Sequence, residues 1–297
     1  MPAPPPPMSR NAQTDRELDM ALASSPLRDI VIPPCPELLF ALRKEMGRAD
    51  PEPQVIADIA GRDVAMAASL IRTANSPFYA RAQAVTSVSE ALGLLGVRMT
   101  EKLLMSFLTR NAIRINSPVL EHFWETSTRS AMAMAHIARQ LYSVDADLAY
   151  TCGLFHQVGI PILMQGVKGY SGTLAEALAR QDRSFTDTEN AAHKTDHAVV
   201  GALVARTWRL PSPIYQAVRF HHDFTVLGAS NVAPEVRTLV AMALVADHLV
   251  AQHEGVAQGK EWIQFGSDCL AYLHITEAEV ELWADALQAQ FDSVNLS

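Results

Sequence analysis

The sequence predicts an all-α protein, a multi-helix fold in which an N-terminal helical lobe packs on a second one. Three observations carry that prediction. Apolar residues recur at three- and four-residue spacing through almost every segment, and no run alternates as a half-buried strand would. Ser87 with Glu90, Thr186 with Glu189, and Thr276 with Glu279 each have the spacing of a helix capping box. Ser24-Ser25-Pro26, Asn75-Ser76-Pro77 and Asn116-Ser117-Pro118 punctuate the chain as helix breakers should.

The elements follow in order. Met1-Pro2-Ala3-Pro4-Pro5-Pro6-Pro7 suits neither a helix nor a central strand and reads as a mobile polyproline tail. Asp15 to Ala23 suits a short helix. Pro36 to Met46 opens on a proline fit for a first turn and sets Leu38, Leu39 and Leu42 on one face. Pro53 to Gly61 and Val64 to Ala74 are short amphipathic helices. Asn75 is expected in a left-handed position ending the second of them, with Pro77 forbidding continuation. Ala91 to Leu95 and Thr100 to Ile113 follow as separate helices.

A long helix should then run to about Leu141, burying Phe123, Ala131, Ala135 and Ala138; its small residues permit close packing. Asp145 to Phe155, Gly172 to Gln181, Thr186 to Trp208, Ser212 to His222 and Ala233 to His253 complete the main set. The expected organisation is a Pro-rich tail and short helix over 1–25 and a helical domain over 26–229. That domain divides near Arg114 to Pro118 into lobes of 26–116 and 117–229, and a helical extension occupies 230–297. In the extension, Trp262, Phe265, Tyr272, Leu273, Leu282, Trp283 and Leu287 can cover the second lobe or mediate self-association.

Composition narrows the function classes. The 297 residues are 49% hydrophobic and 19% charged, which excludes wholesale disorder and allows a substantial core. A net charge of −8 draws the chain to neither nucleic acid nor anionic lipid, and no Lys/Arg run marks a local patch. No apolar run is long enough to span a bilayer. Cys35, Cys152 and Cys269 are isolated and odd in number, so reduced thiols in a cytoplasmic protein are expected. No motif marks Cys35 or Cys152 as an activated nucleophile. Arg72, Arg98 and Lys102 can meet an acidic partner or a phosphate, or simply form a solvated face.

The chemistry-bearing residues are histidines. His156 ends an apolar helix beside Gln157, His197 follows Asp196, and His221-His222 close another helix. Asp247 interrupts the apolar run Val240 to Ala246, where an acid is costly unless paired with a cation, a metal or several donors. The order His156-Gln157, His197, His221-His222, Asp247 resembles the ligand order of HD-superfamily phosphohydrolases, the HD-GYP branch in particular. Two positions depart from it. Thr126, in Trp124-Glu125-Thr126-Ser127, stands where the resemblance expects the first histidine, and Gln157 stands where it expects the aspartate of the His-Asp doublet. A neutral amide is a poor ligand for a divalent cation and cannot bridge two of them. Asp223-Phe224-Thr225 also runs where a Gly-Tyr-Pro loop is expected.

Further segments make the resemblance more specific. Ile32 to Leu38, Asp63 to Tyr79, Ser87 to Gly96, Phe123-Trp124, Gly153 to His156 and Trp208 to Pro211 are similar, in order, to the HDOD domain, the HD-related output domain of bacterial signalling proteins. The resemblance implies an all-helical, non-catalytic or vestigial HD fold with no catalytic residue. Partners would be signalling proteins: response regulators, kinases or cyclic-dinucleotide enzymes. No receiver, kinase or GGDEF-like segment is recognisable, so the input signal is expected from a separate protein.

Asn75, Ser76, Phe78 and Tyr79 are interaction candidates, with a structural stop whose aromatics plug the core as the favoured alternative. The vestigial positions Thr126, His156, Gln157, His197, His221, His222 and Asp247 are expected to form a hydrogen-bonded polar cluster without a cofactor. His136 can face that cluster. The alternative is a remnant zinc, iron or nickel site on His156, His197, His221, His222 and Asp247. The rival functions are a metal-dependent phosphohydrolase or cyclic-dinucleotide phosphodiesterase with altered ligands, and a sensor that binds a nucleotide without cutting it.

Overall fold

The structure is a computed structural model that describes residues 10–23, 27, 30–79, 84–114, 120, 122–141, 144–180 and 182–294. Every regular element among the described residues is helical. The helices are α1 (Arg10–Ala23), α2 (Glu37–Met46), α3 (Pro53–Gly61), α4 (Val64–Ala74), α5 (Val88–Ala112), α6 (Phe123–Leu141), α7 (Ala146–Phe155) and α8 (Gly159–Gly166). They continue as α9 (Tyr170–Ala179), α10 (Phe185–His193), α11 (His197–Thr207), α12 (Ser212–Phe220), α13 (Pro234–His253), α14 (Lys260–Leu273) and α15 (Glu277–Val294). The expected polyproline tail and the Ser24-Ser25-Pro26 and Asn116-Ser117-Pro118 breaks lie outside the described residues.

Two compact units divide the chain, one of Met1–Ile32 with Ser130–Ala284, the other of Pro33–Arg129 with Asp285–Ser297. The division falls inside α6 and not at Arg114 to Pro118. Nor do the helices after residue 229 stand apart: α13 packs on α12, α7 and α14 within the first unit. Leu239 to Ala246 are buried without a break.

In the second unit α2, α3, α4 and α5 pack on one another around Leu39, Leu42, Ile56, Met66, Leu70 and Leu104. The two helices expected over Ala91 to Ile113 are joined as α5 with a kink at Gly96, whose φ of 78° interrupts the helix. Ser87 caps α5 by accepting from the Glu90 N–H at 3.1 Å, and the Glu90 carboxylate reaches back to the Thr86 N–H at 2.9 Å. Asn75 is not left-handed (φ −91°). Its side-chain amide instead clasps Val85, donating to the carbonyl and accepting from the N–H at 2.8 Å each.

In the first unit α11 lies against α12, α8 and α1. One helix expected over Thr186 to Trp208 is in fact two, α10 and α11, parted at Lys194 with φ 58°. The Thr186–Glu189 box does not form. Ser184 caps α10 through the Asp187 N–H at 3.0 Å, and Glu189 turns inward, fully buried. The Thr276–Glu279 box forms as expected, at 2.8 Å from the Thr276 N–H to the carboxylate. The segment after Gln157 forms α8, a helix absent from the expected set; Pro161 lies in its first turn, where no N–H is needed.

Two glycines fix the spacing at the centre of this unit. A Cβ on Gly159 would lie 2.0 Å from the His197 carbonyl oxygen, and one on Gly153 would lie 2.7 Å from the Ala131 Cα. Backbone therefore meets backbone where α8 touches α11 and α7 touches α6. The acidic face of α1 is held by Arg206 and Arg219: Arg206 bonds Asp19 at 2.8 Å, and Arg219 pairs with Glu17. Among the described residues, no helix is long and apolar enough to cross a membrane.

Candidate metal centre

Four histidines reach the middle of the first unit from helix ends. His156 follows α7, His197 opens α11, and His221 and His222 close α12. His156, His197 and His221 are buried, while His222 keeps a small exposed edge.

His197, His221 and His222 form one group whose ligand atoms all lie within 4.8 Å of one another. The Nε2 of His197 stands 3.2 Å from that of His221 and 3.0 Å from that of His222. Each of the three points its Nδ1 outward to an acceptor. His197 Nδ1 donates to Glu189 at 2.7 Å, His221 Nδ1 to the Val218 carbonyl at 2.6 Å, and His222 Nδ1 to Glu261 at 2.7 Å. Outward Nδ1–H bonds orient the three rings so that their Nε2 atoms face one another.

His156 and Asp247 stand outside this group as a pair. His156 Nδ1 donates to the Gly153 carbonyl at 2.8 Å, and its Nε2 meets Asp247 Oδ1 at 3.0 Å. Asp247 also accepts from Ser130 Oγ of α6 at 3.3 Å. Of the seven positions that the sequence nominates, the structure thus brings together three, sets His156 and Asp247 beside them, and puts Gln157 on the pocket wall. Thr126 belongs to the other compact unit. His136 does not face the cluster; its ring meets Trp283 edge-on at 6.1 Å.

The surroundings tune charge. Burial, with the adjacent His222, His197 and His156 rings, pushes the His221 pKa well below the histidine range. Burial also opposes charge on His222, but Glu261 beside it outweighs that and raises its pKa. Glu189 is fully buried, held by the Tyr170 hydroxyl and by both the ring and the backbone N–H of His197. Burial, then Glu189, drives the Tyr170 pKa up, so that hydroxyl stays a donor. Cys152 and Cys269 are pushed up to about 12 by burial and are poor nucleophiles.

A pocket of about 280 Å³ opens beside the cluster, lined among others by Gln157, Phe185, His222, Asp247, Glu261 and Trp262. Lys260, on the same wall, is not available to a ligand phosphate. Its ammonium donates to the carbonyls of Ala177, Arg180 and Arg183 at 3.2, 3.0 and 2.8 Å.

The donor set suits an imidazole-bound ion, because among the described residues each nearby carboxylate is engaged: Asp247 by His156 and Ser130, Glu189 by His197 and Tyr170, and Glu261 by His222. Sequence reasoning missed Glu189, Glu261, Tyr170 and Ser130. Glu189 has the spacing of a capping residue and Glu261 that of an ordinary first-turn acid, so neither carried a distinguishing signal.

The interaction candidates sit elsewhere, in the second unit. Asn75 is spent on Val85, and the Ser76 hydroxyl is buried without a hydrogen-bond partner among the described residues. Phe78 does not plug the core: it is 50% exposed and meets Tyr79 edge-on at 4.9 Å. Arg72 lines a separate pocket of about 250 Å³ with Arg110, Trp124 and Thr128.

Comparison with known proteins places this geometry. Residues 32–224, more than half of the chain, match the HDOD domain model. The chain belongs to the HDOD family. An HDOD domain protein of unknown function from Geobacter sulfurreducens shares the fold, with a TM-score of 0.74 at 18% identity over 97% of this chain and 98% of that one. A Marinobacter aquaeolei VT8 protein provisionally named for signal transduction matches with a TM-score of 0.74 at 19% identity, over 96% of this chain and 65% of that one. A Shewanella amazonensis SB2B protein provisionally named a phosphohydrolase matches with a TM-score of 0.70 at 18% identity, over 95% and 97%.

In sequence, an uncharacterized protein of Treponema pallidum (strain Nichols) is 22% identical over 287 residues. This chain is covered to 96% and spans 54% of that relative's length. The HDOD match ends at residue 224, before Asp247 and Glu261, so α13 and α14 complete the site from beyond it.

Proposed function

We propose that this HDOD protein is a cytoplasmic bacterial regulatory module that acts by binding other signalling proteins, with no bond made or broken. The observation that carries this reading is the amide of Gln157 on the wall of the pocket shared by His222 and Asp247. Hydrolysis of a phosphodiester by paired metals needs a carboxylate that holds the two ions close and offsets their charge. Gln157 offers none, and the two acids that line this pocket, Asp247 and Glu261, are already hydrogen-bonded to His156 and His222. Membership of the HDOD family and the signal-transduction name of the Marinobacter protein support the same reading. The partners would be response regulators, kinases or cyclic-dinucleotide enzymes, met through helix faces and loops.

A second reading, a metal-dependent phosphohydrolase with altered ligands, is favoured by the convergence of His197, His221 and His222 and by the name of the Shewanella protein. Tag-free full-length protein loaded with Mn²⁺, Fe²⁺ or Zn²⁺ and offered bis(p-nitrophenyl) phosphate or cyclic dinucleotides separates the two. The regulatory reading expects no turnover. Sustained hydrolysis that disappears in His156→Ala would overturn it, and tight cyclic-dinucleotide binding without hydrolysis would replace it by a nucleotide sensor.

A further inference from the structure

We propose that the pocket walled by α4, α5 and the start of α6 binds a small phosphate monoester, with Arg72 and Arg110 on the phosphoryl group and Phe107 and Trp124 against an apolar body. Every residue of its lining belongs to the second compact unit, so the site shares none with the histidine cluster. The proposal does not depend on the regulatory reading.

The distribution of unmet donors carries the argument. Three of the pocket's hydroxyls are satisfied by the protein itself. Thr128 donates to the Trp124 carbonyl at 2.7 Å, which leaves Ser106 to donate to Thr128 at 3.3 Å, and Thr73 donates to the Ser69 carbonyl at 3.0 Å. Four donor groups are not held in this way. The Arg72 guanidinium, the Asn111 side-chain amide and the Ser69 hydroxyl have no hydrogen-bond or ion-pair partner among the described residues. Arg110 Nη1 stands 3.9 Å from Glu125 Oε1, beyond hydrogen-bond reach. Arg72, Arg110 and Asn111 are exposed, whereas Trp124 and Val294 are buried and Leu103 and Phe107 half-buried. The pocket therefore sets its donors at the mouth above apolar walls, which is the arrangement that an anion with an apolar body fits.

Donor count, charge and size select the ligand. α4 packs on α5, and each helix presents its polar pair on one face: Ser69 with Arg72 at three-residue spacing, Ser106 with Arg110 at four. One guanidinium fork fills the two oxygens of a carboxylate. Two forks, a hydroxyl and an amide suit the three terminal oxygens of a phosphoryl group instead. Two guanidinium groups against the single Glu125 carboxylate leave the lining with an excess of positive charge, on a chain whose net charge is −8. The volume of about 250 Å³ lies below the roughly 300–1,000 Å³ of pockets for drug-sized ligands, which excludes a dinucleotide. Of the cations that the sequence offers to a phosphate, Arg98 and Lys102 lie outside the lining, and Arg110 joins Arg72 in their place.

The test titrates full-length protein with phenyl phosphate by calorimetry at fixed ionic strength, with inorganic phosphate, benzoate and a phosphoserine peptide as comparisons. One phenyl phosphate per chain is expected, bound more tightly than inorganic phosphate or the peptide, with no detectable benzoate binding. Arg72→Gln and Arg110→Gln should each weaken it about tenfold to a hundredfold, the loss of a charge-assisted contact. Arg98→Gln removes the same charge from α5 outside the pocket and should leave the affinity within about twofold. All three arginines are exposed, so folding is little at risk, and circular dichroism checks that each variant is helical. No saturable binding by the folded wild type, an equal loss in Arg98→Gln, or inorganic phosphate or benzoate bound as tightly as phenyl phosphate would each overturn the proposal. Tighter binding of the phosphopeptide would overturn the small-molecule assignment.

Discussion

His156 Nε2 and Asp247 Oδ1 lie 3.0 Å apart, so the acid that interrupts the apolar run of α13 is met by a histidine that stands outside the converging trio. The pair is closed on both sides, by the Gly153 carbonyl and the Ser130 hydroxyl. Asp247→Ala should therefore destabilise the first unit by about 1–3 kcal/mol, the cost of leaving His156 and Ser130 without their acceptor. Urea unfolding checks this; an Asp247→Ala variant as stable as wild type would refute it.

Gly159→Ala should be among the most damaging single changes in the protein. Its Cβ would fall 2.0 Å from the His197 carbonyl oxygen, against backbone that cannot swing aside. Forcing α8 from α11 should cost about 3 kcal/mol or more, the upper end for overpacking. Urea unfolding measures it.

Asn75→Ala should destabilise the second unit by about 1–3 kcal/mol, the cost of leaving the Val85 N–H and carbonyl without their partner. Faster limited proteolysis near Val85 should accompany the loss. An Asn75→Ala variant as stable and protease-resistant as wild type would return Asn75 to the interaction candidates.

His136 gives a pH prediction. Burial, with nearby Arg139, lowers its pKa in the folded protein below 6.5. The unfolded chain then binds more protons as pH drops, so this group's contribution is complete above about pH 6.5 and is lost as pH falls toward the folded value. His136→Leu, which also removes a buried ring nitrogen lacking a hydrogen-bond partner among the described residues, should gain more stability at pH 5.5 than at pH 7.5. Urea midpoints at the two values test the sign, and an equal effect at both would refute it.

The fold was legible because helical periodicity and caps are local. Pro53–Gly61 and Val64–Ala74 are read to the residue, and the Thr276–Glu279 box forms as spaced. Misreadings arose where tertiary structure overrides a local signal. Glu189 has capping spacing yet turns inward to His197 and Tyr170, leaving the cap to Ser184. Lys194 parts two helices in a left-handed turn that no glycine announces. At the site, the histidines were nominated from their places at helix ends. Their division into a trio and a pair was not, because it depends on which nitrogen each outer partner takes, and Glu261 arrives from a helix whose sequence carries no mark of it.

That dependence has a practical edge for anyone handling the family-matched segment alone. A fragment trimmed to residues 32–224 would carry every histidine of the trio while leaving behind Glu261, Asp247 and the apolar wall of α13. It would expose its own interior and clump, and an inert or sticky preparation would say nothing about the intact molecule.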